Sequence, residues 1–419
     1  MLIPGALGLV GLAFLLPAVT MPAARGMFAL AGLSSMAVLA AAPLALGLFG
    51  LALDRVMYAV VIVLAGLGMA TLTRLQAADP GLGSVVQRQL LGLCFGTIAM
   101  GGGVFFGRSL LRLCHYRYLL LCAALIFLGL TIPFGEEAGG SRAWLRLGQI
   151  HVQPSELVRP VVIFFLASYL GQHQPLLRAT GPDTLPLWRR RWLLGPIFAM
   201  WLFSLGALLL QSDLGTAFLY FAAFLVLLYL ASGRMSYLLG GAGLGAVGCL
   251  AAALSFSHVR ARFLVWLHPM GFADGVGYQN ARSLFALASG GLTGVGPGRG
   301  LPEITPAVHT DLIFSVVGEE LGLAGGIIVL LLYLALVCRG LVLACRSRDR
   351  VGYLLGAGLS IAMGLQVILI VGGTTGLLPL TGVTLPLFSS GGSSLVATLF
   401  SLGVQSGIGT ARGGRGIAD

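Results

Sequence analysis

The sequence contains no lysine, and charge of either sign is scarce: across 419 residues the charged fraction is 9%, against 57% hydrophobic. Soluble domains carry about 25% charged residues, so an ordinary soluble domain is excluded and a polytopic membrane protein is indicated. All 25 basic residues are arginine, which we take as compositional bias without mechanistic weight. The formal net charge of +11 does not point to nucleic acid, because the arginines are scattered through short connectors and form no basic tail or stripe. Cysteine is sparse as well. Cys94, Cys114, Cys122, Cys249, Cys338 and Cys345 show no C-x-x-C or Cys/His ligand spacing, which speaks against structural disulfides and a thiolate metal centre.

What the chain has in abundance is long apolar runs. A bilayer core of about 30 Å takes about 20 apolar residues per helix, and about twelve such runs occur. They lie near 4–20, 28–51, 56–75, 88–107, 117–134, 154–171, 192–210, 214–232, 236–257, 312–338, 351–378 and 386–408. The fold class expected is all-α, a polytopic membrane helix bundle. The opening "MLIPGALG" lacks a positive n-region and a second apolar run follows at once, so the first run reads as a helix rather than a signal peptide. With both termini cytoplasmic, more than half of the arginines fall in inside connectors, among them Arg55, Arg108, Arg112, Arg117 and Arg339. The positive-inside rule supports that orientation.

Some arginines run against the bias. Arg142 and Arg146 follow the fifth run, and Arg260, Arg262, Arg282 and Arg299 sit in the long segment 258–311; both stretches face outward in this topology. Guanidinium binds phosphate through a bidentate fork, so the cluster is read as contacting a phosphorylated ligand; snorkelling or local ion pairing is the plainer alternative for any single one. The segment 258–311 is too long for an ordinary connector. Within it, "NARSLFALASGGL" has an apolar face at helical spacing, suited to lying in the interface. The following "GGLTGVGPGRG" allows tight turns and close backbone approach to a bulky ligand, but no preceding strand marks it as a nucleotide loop.

Carboxylates at membrane depth are costly, about 2.5–3.5 kcal/mol at a helix centre, and usually face a cavity or a partner. Glu156 opens the sixth run in "QPSELVRP", with Arg159 three residues on; an ion pair at a helix start and a catalytic acid or base are equally compatible with this. Asp213 in "QSDLGTAF" reads as a cap or a cavity residue. Glu319 lies about 12 Å deeper than Asp311, and Glu319 and Glu320 read first as buried partners bracing helices. Asp311, at a mouth beside His309 and Thr310 and next to a Gly-rich loop carrying arginine, reads evenly as chemical or structural.

The blocks "GSRAWLRLGQIHVQPSELVRP", "QSDLGTAF", "GYQNARSLFALASGGLTGVGPGRGLPE", "HTDLIFSVVGEELGLAG" and "PLTGVTLPLFSSGGSSL" resemble those of the SEDS (shape, elongation, division and sporulation) family, in family order over about residues 54–408. The resemblance implies a ten-helix core with two extra N-terminal helices over 1–53 and a cytoplasmic tail over 409–419. It implies a peptidoglycan glycosyltransferase of the cytoplasmic membrane, with an extracytoplasmic active site that polymerises lipid II beside a class B penicillin-binding protein. It assigns the essential carboxylate to Asp311 and implicates Glu156. A divalent cation, Mg²⁺ or Mn²⁺, is implied with no ligand set legible. As substrate contacts we expect Arg142, Arg159, Arg262, Gln279, Arg282, His309, Thr310 and Ser393, with Asp213, Glu319 and Glu320 structural or cavity-lining. Departures stand at Arg282, where members commonly carry Gln, at Ser390, usually aromatic, and at His268, commonly Asp, and they bear on the nearby donor or acceptor contacts. Two readings from other classes remain: a lipid II flippase or other transporter using the buried carboxylates, and a noncatalytic scaffold, which leaves the external Arg and Asp constellation unexplained.

Overall fold

A computed structural model describes residues 2–138, 141–148, 150–179, 195, 202, 206, 211 and 213–410. The long helices are α1 (Leu2–Thr20), α2 (Arg25–Leu48), α3 (Arg55–Ala78), α4 (Val85–Arg108), α5 (Arg117–Gly129), α6 (Pro154–Ala179), α7 (Leu214–Ser232), α8 (Met235–Ser255), α9 (Ser257–Leu267), α10 (Tyr278–Gly290), α11 (Ile313–Cys345), α12 (Arg350–Thr374) and α13 (Gly392–Thr410). Among the described residues, nine helical spans are long and apolar enough to cross a membrane. The run expected near 192–210 lies outside the described residues. The chain is a multi-pass membrane protein with a predominantly helical fold, and α2, α3, α4, α7 and α8 fall within a few residues of the expected runs.

Three of the few acidic side chains begin helices. Asp54, Asp213 and Asp349 are N-caps of α3, α7 and α12, accepting from the backbone amides of Met57, Thr216 and Gly352. A cap of this kind satisfies a helix-end amide that would otherwise be left bare. Asp54 also takes a forked pair of bonds from Arg339, Nε to Oδ1 at 2.9 Å and Nη2 to Oδ2 at 2.6 Å. Arg339 therefore lies inside α11, not in a connector; a carboxylate partner lets the helix run on past the apolar stretch.

In lipid, apolar burial does not drive helices together, so small residues that let backbones approach take over. On α4, Gly103 and Gly107 face Gly403 and Gly407 on α13, a pair of G-x-x-x-G patterns. A Cβ on Gly103 would fall inside contact distance of the Phe400 carbonyl, and one on Gly403 would meet the Met100 carbonyl. Helix α13 is shared by two buried clusters: Leu395, Leu399 and Leu402 join α1–α4 and α11, while Val404 and Ile408 join α5–α7 and the start of α12. By contrast α8 has no buried residue and turns Leu239, Leu250 and Leu254 outward, as a lipid-facing helix does.

Three features depart from the expected pattern. The connector before α6 is a three-stranded antiparallel sheet, β1 (Glu136–Ala138), β2 (Ser141–Leu147) and β3 (Ile150–Val152), in that order. Ala143 and Leu145 are buried while Arg146 is exposed, the alternation a half-covered strand requires. Second, α11 is broken at Gly322 (φ 68°, ψ −169°). The freed groups pair with the Gly-rich loop: Val295 N donates to Glu319 O (3.0 Å), Gly296 N to Glu320 O (3.1 Å), Leu323 N to Gly291 O (3.0 Å) and Ala324 N to Leu292 O (3.1 Å). The close approach these glycines permit is thus to the protein's own helix. Third, α12 ends at Thr374 and α13 starts at Gly392, so residues 375–391, expected to be helical at both ends, form an irregular segment within the bundle.

Candidate active site

Irregular backbone inside a membrane protein persists where other parts of the protein satisfy its polar groups or where it lines a cavity. Both conditions hold for residues 375–391. Gln366 Nε2 donates to Thr384 O (2.8 Å), Tyr333 Oη to Pro386 O (2.6 Å), Gln89 Nε2 to Ser389 O (3.1 Å) and Trp266 Nε1 to Gly376 O (2.9 Å). Four helices hold this segment in place. Above it opens a cavity of about 550 Å³, bounded also by β2, α9, α10 and the turn before α11.

Of the residues expected from sequence, Asp213, Arg262, Gln279, His309, Thr310 and Asp311 line that cavity. Asp311 sits in the turn preceding α11. That turn is fixed from both sides. Ala307, at φ 52°, accepts from Thr310 N (3.1 Å), while Ser389 Oγ donates to Thr310 O (2.6 Å) and Ser390 N to His309 O (2.9 Å). A non-glycine residue at positive φ is held there by its surroundings. Arg262 arrives from α9, which exists because Phe256 is extended (φ −115°, ψ 119°) and breaks the chain away from α8. Its Nη1 donates to the carbonyls of Thr381 (3.2 Å) and Leu380 (3.5 Å).

Gly382 explains how these two charges share one space. At φ 75°, its missing Cβ would sit 3.7 Å from Asp311 Oδ2 and 4.0 Å from Arg262 Nη2. Burial pushes the Asp311 carboxyl up to about 6, opposed by the Arg262 guanidinium and the Thr310 hydroxyl. Asp213 is likewise raised by burial, opposed by hydrogen bonds from Thr216 and Gln153. Its Oδ1 caps α7 through Thr216 N (3.1 Å) and its Oδ2 accepts from Gln153 Nε2 (3.1 Å). His309 is lowered by burial and by Arg88, which leaves the imidazole neutral near pH 7.

The other expected residues stand apart from the cavity lining. Glu156 is 1% exposed, with Oε2 lying 2.8 Å from Arg159 Nη2 at the start of α6, where the helix dipole favours negative charge. Ser393 is buried and its Oγ accepts from Gln153 N (3.3 Å). The Arg282 guanidinium lies over the Tyr278 ring at 5.0 Å. The Arg142 side chain lies outside the described residues. Glu319 and Glu320 hold the Gly-rich loop: Leu301 N donates to Glu319 (3.0 Å), Gly298 N to Glu320 (2.9 Å), and Arg74 Nε to Glu320 (2.9 Å).

Sequence reasoning missed Trp144, Gln153, Asn280, Thr381, Gly382 and Thr384, all at the cavity. The cluster of Gly376, Pro379, Gly382 and Pro386 was the available signal, since Gly and Pro punctuate helices. Among the described residues no three His, Cys, Asp or Glu side chains converge to hold a metal ion. Two carboxylates, Asp213 and Asp311, do line the cavity, and a Mg²⁺ ion commonly uses one or two carboxylates with water and substrate phosphate completing its shell.

The FtsW, RodA and SpoVE family model, described as cell cycle protein, matches residues 47–412. The chain is 38% identical over 362 residues to the peptidoglycan glycosyltransferase RodA of Mycobacterium tuberculosis, covering 84% of this chain and 76% of that protein. It is 32% identical over 320 residues to stage V sporulation protein E of Bacillus subtilis, covering 76% and 85%. Among solved structures, it resembles a chain from work on the coordination of polymerization and crosslinking by a peptidoglycan synthase complex, with a TM-score of 0.70 at 30% identity over 87% of this chain and 98% of that one. The crystal structure of Thermus thermophilus rod shape determining protein RodA matches with a TM-score of 0.62 at 30% identity, over 86% and 97%.

Proposed function

The chain belongs to the FtsW, RodA and SpoVE family of cell cycle proteins, and from that premise we propose that it is a peptidoglycan glycosyltransferase polymerising lipid II into glycan strands. The observation that carries the reading is the joint approach of Asp311 and Arg262 to the space above Gly382. A carboxylate and a guanidinium facing one cavity supply what the reaction needs at its two ends.

In this reading Asp311 is the general base. It takes the proton of the acceptor GlcNAc 4-hydroxyl as that oxygen attacks the anomeric carbon of the donor MurNAc. Undecaprenyl pyrophosphate leaves from the opposite face, so the anomeric configuration inverts, as in inverting glycosidases with a sugar hydroxyl in place of water. A base with a pKa of about 6 is ionised at neutral pH yet basic enough to accept a proton in the transition state. Arg262, oriented by two backbone carbonyls, offsets charge developing on the leaving pyrophosphate. Gln279 and Asn280 present amides to the sugars from the start of α10. The Glu156–Arg159 pair fixes the start of α6, directly after Gln153, and so acts from behind the wall. Arg142, Arg282 and Ser393 are assigned to the periphery of the substrate path.

A divalent cation would be held by Asp213 together with water and substrate phosphate, leaving Asp311 free to take the proton, and it would neutralise charge on the pyrophosphate. The cavity faces the extracytoplasmic side in this proposal. The arginines of the α4–α5 connector and of the α11–α12 connector lie at the opposite ends of their helices, and the positive-inside rule assigns those ends to the cytoplasm, with both termini there. Residues 1–53 form an added helix pair beside the catalytic core at 54–408, in keeping with a family match that starts at residue 47. The crosslinking partner is a class B penicillin-binding protein.

The test is purified protein, alone and with its transpeptidase, incubated with lipid II and Mg²⁺ or Mn²⁺. Glycan polymer from wild type and its loss in folded Asp311→Asn is expected. Equal polymerisation by that variant removes Asp311 from the chemistry, and lipid translocation without polymer would indicate a transporter.

A further inference from the structure

A second cavity, of about 560 Å³, lies at the other end of the bundle. Its wall includes Gly171 and Gln172 of α6, about 26 Å along the helix from Pro154 at 1.5 Å per residue, and Arg350 and Val351 at the start of α12. The two cavities therefore open at opposite surfaces of the membrane. We propose that this second cavity binds the phosphate headgroup of an anionic phospholipid.

The arginine pattern motivates the assignment. Arg74, Arg159 and Arg339 each meet a carboxylate within 4.0 Å. Arg117 is held instead by a neutral acceptor, Gln172 Oε1, with its guanidinium 5.0 Å from the Tyr118 ring centroid and 5.7 Å from that of Tyr169. Among the described residues no carboxylate lies within 4.0 Å of Arg117 or of Arg350. Asp349 also lines the cavity, but its Oδ2 accepts from Gly352 N (3.2 Å) as the cap of α12. Arg262 shows the same arrangement at the first cavity: neutral acceptors orient a guanidinium that is turned toward open space. A planar guanidinium so presented suits the paired oxygens of a phosphate.

The apolar part of the wall favours a lipid as the source of that phosphate. Leu111 is 64% exposed and Tyr118 48%, and both line the cavity; Tyr116 and Leu119 flank it and are also exposed. These side chains provide a surface for acyl chains leaving the headgroup, and tyrosine is at home where chain and headgroup meet. A free anion would gain nothing from them. Basic residues near a membrane surface contribute about tenfold or less each to the retention of anionic lipid, so two arginines should be readily measurable.

The experiment uses the full chain in a neutral detergent, with dioleoylphosphatidylglycerol, dioleoylphosphatidylcholine and inorganic phosphate as separate probes, and reads bound lipid by native mass spectrometry. Wild type should hold the phosphatidylglycerol about tenfold or more tightly than phosphatidylcholine. The Arg117→Gln, Arg350→Gln double variant should lose that preference, while Arg234→Gln, at the start of α8 and outside the cavity lining, should keep it. Should the double variant not fold, Arg350→Gln alone, at an exposed position, is expected to weaken binding severalfold. An unchanged preference in the folded double variant, or in Arg350→Gln where only that folds, would overturn the site. Displacement of the lipid by millimolar inorganic phosphate, with the two lipids bound equally, would overturn its assignment to a lipid. Neither result depends on the polymerase reading.

Discussion

Replacing Asp311 with asparagine should abolish polymerisation and at the same time stabilise the protein. The carboxyl is displaced from 3.8 to about 6 by burial, and it lies in the turn before α11, outside the spanning helices. A folded-state pKa above the unfolded one means the native protein holds the proton more tightly. The penalty is therefore absent below about pH 4, grows between 4 and 6, and is complete above 6. Undiscounted it amounts to about 3 kcal/mol; the side chain is only half-buried, and solvent screening reduces this to about 1–2 kcal/mol. The neutral amide carries no such penalty. In detergent, thermal unfolding of the variant should exceed that of wild type by a few degrees at pH 7.5, and the gap should shrink to about a third by pH 4.5. Polymer yield should fall by about 10² to 10⁴ at pH 7.5, and wild-type rates should decline as pH drops below about 6. A gap in unfolding temperature that does not change between pH 4.5 and 7.5 would refute the claim that this carboxylate is held ionised at a cost.

Gly103→Ala should lower stability by about 1–3 kcal/mol, because its methyl meets the Phe400 carbonyl, while Gly102→Ala, whose Cβ would have nothing within 4 Å, should be near neutral; thermal unfolding in detergent compares them. Glu320→Gln leaves Arg74 buried without its charge partner and should cost about 3–5 kcal/mol, read by the same assay and by proteolysis at the Gly-rich loop. Gly382→Ala places a methyl between Asp311 and Arg262 at a positive-φ position; the fold should survive a cost of about 1–2 kcal/mol while kcat/KM drops at least about tenfold.

Much of the helical frame is visible in the chain because one rule, apolar length against bilayer thickness, governs it locally. The run near 56–75 and α3 at Arg55–Ala78 differ by only a few residues for this reason. Arg339 escaped the rule because its cost is met by Asp54, 285 positions away, which no local window sees. The 375–391 segment escaped it differently: "LPLTGVTLPLF" is apolar enough to pass as helix, and only the side chains of Gln89, Tyr333 and Gln366 reveal that its carbonyls are served from outside. At the site, Asp311 stood out because a charge at a membrane mouth is conspicuous. Its meeting with Arg262 was not legible, since it requires both the bend at Phe256 and the turn at Gly382. Glu319 and Glu320 were conspicuous for the same reason as Asp311, yet their partners are loop amides and Arg74.

The manner in which the 375–391 segment is held has a consequence for biogenesis. Its carbonyls are satisfied by side chains of α4, α9, α11 and α12, helices inserted at widely separated moments of synthesis. A nascent chain lacking any one of them has no finished floor to the cavity. The floor of the cavity is thus complete only once all four helices are in place.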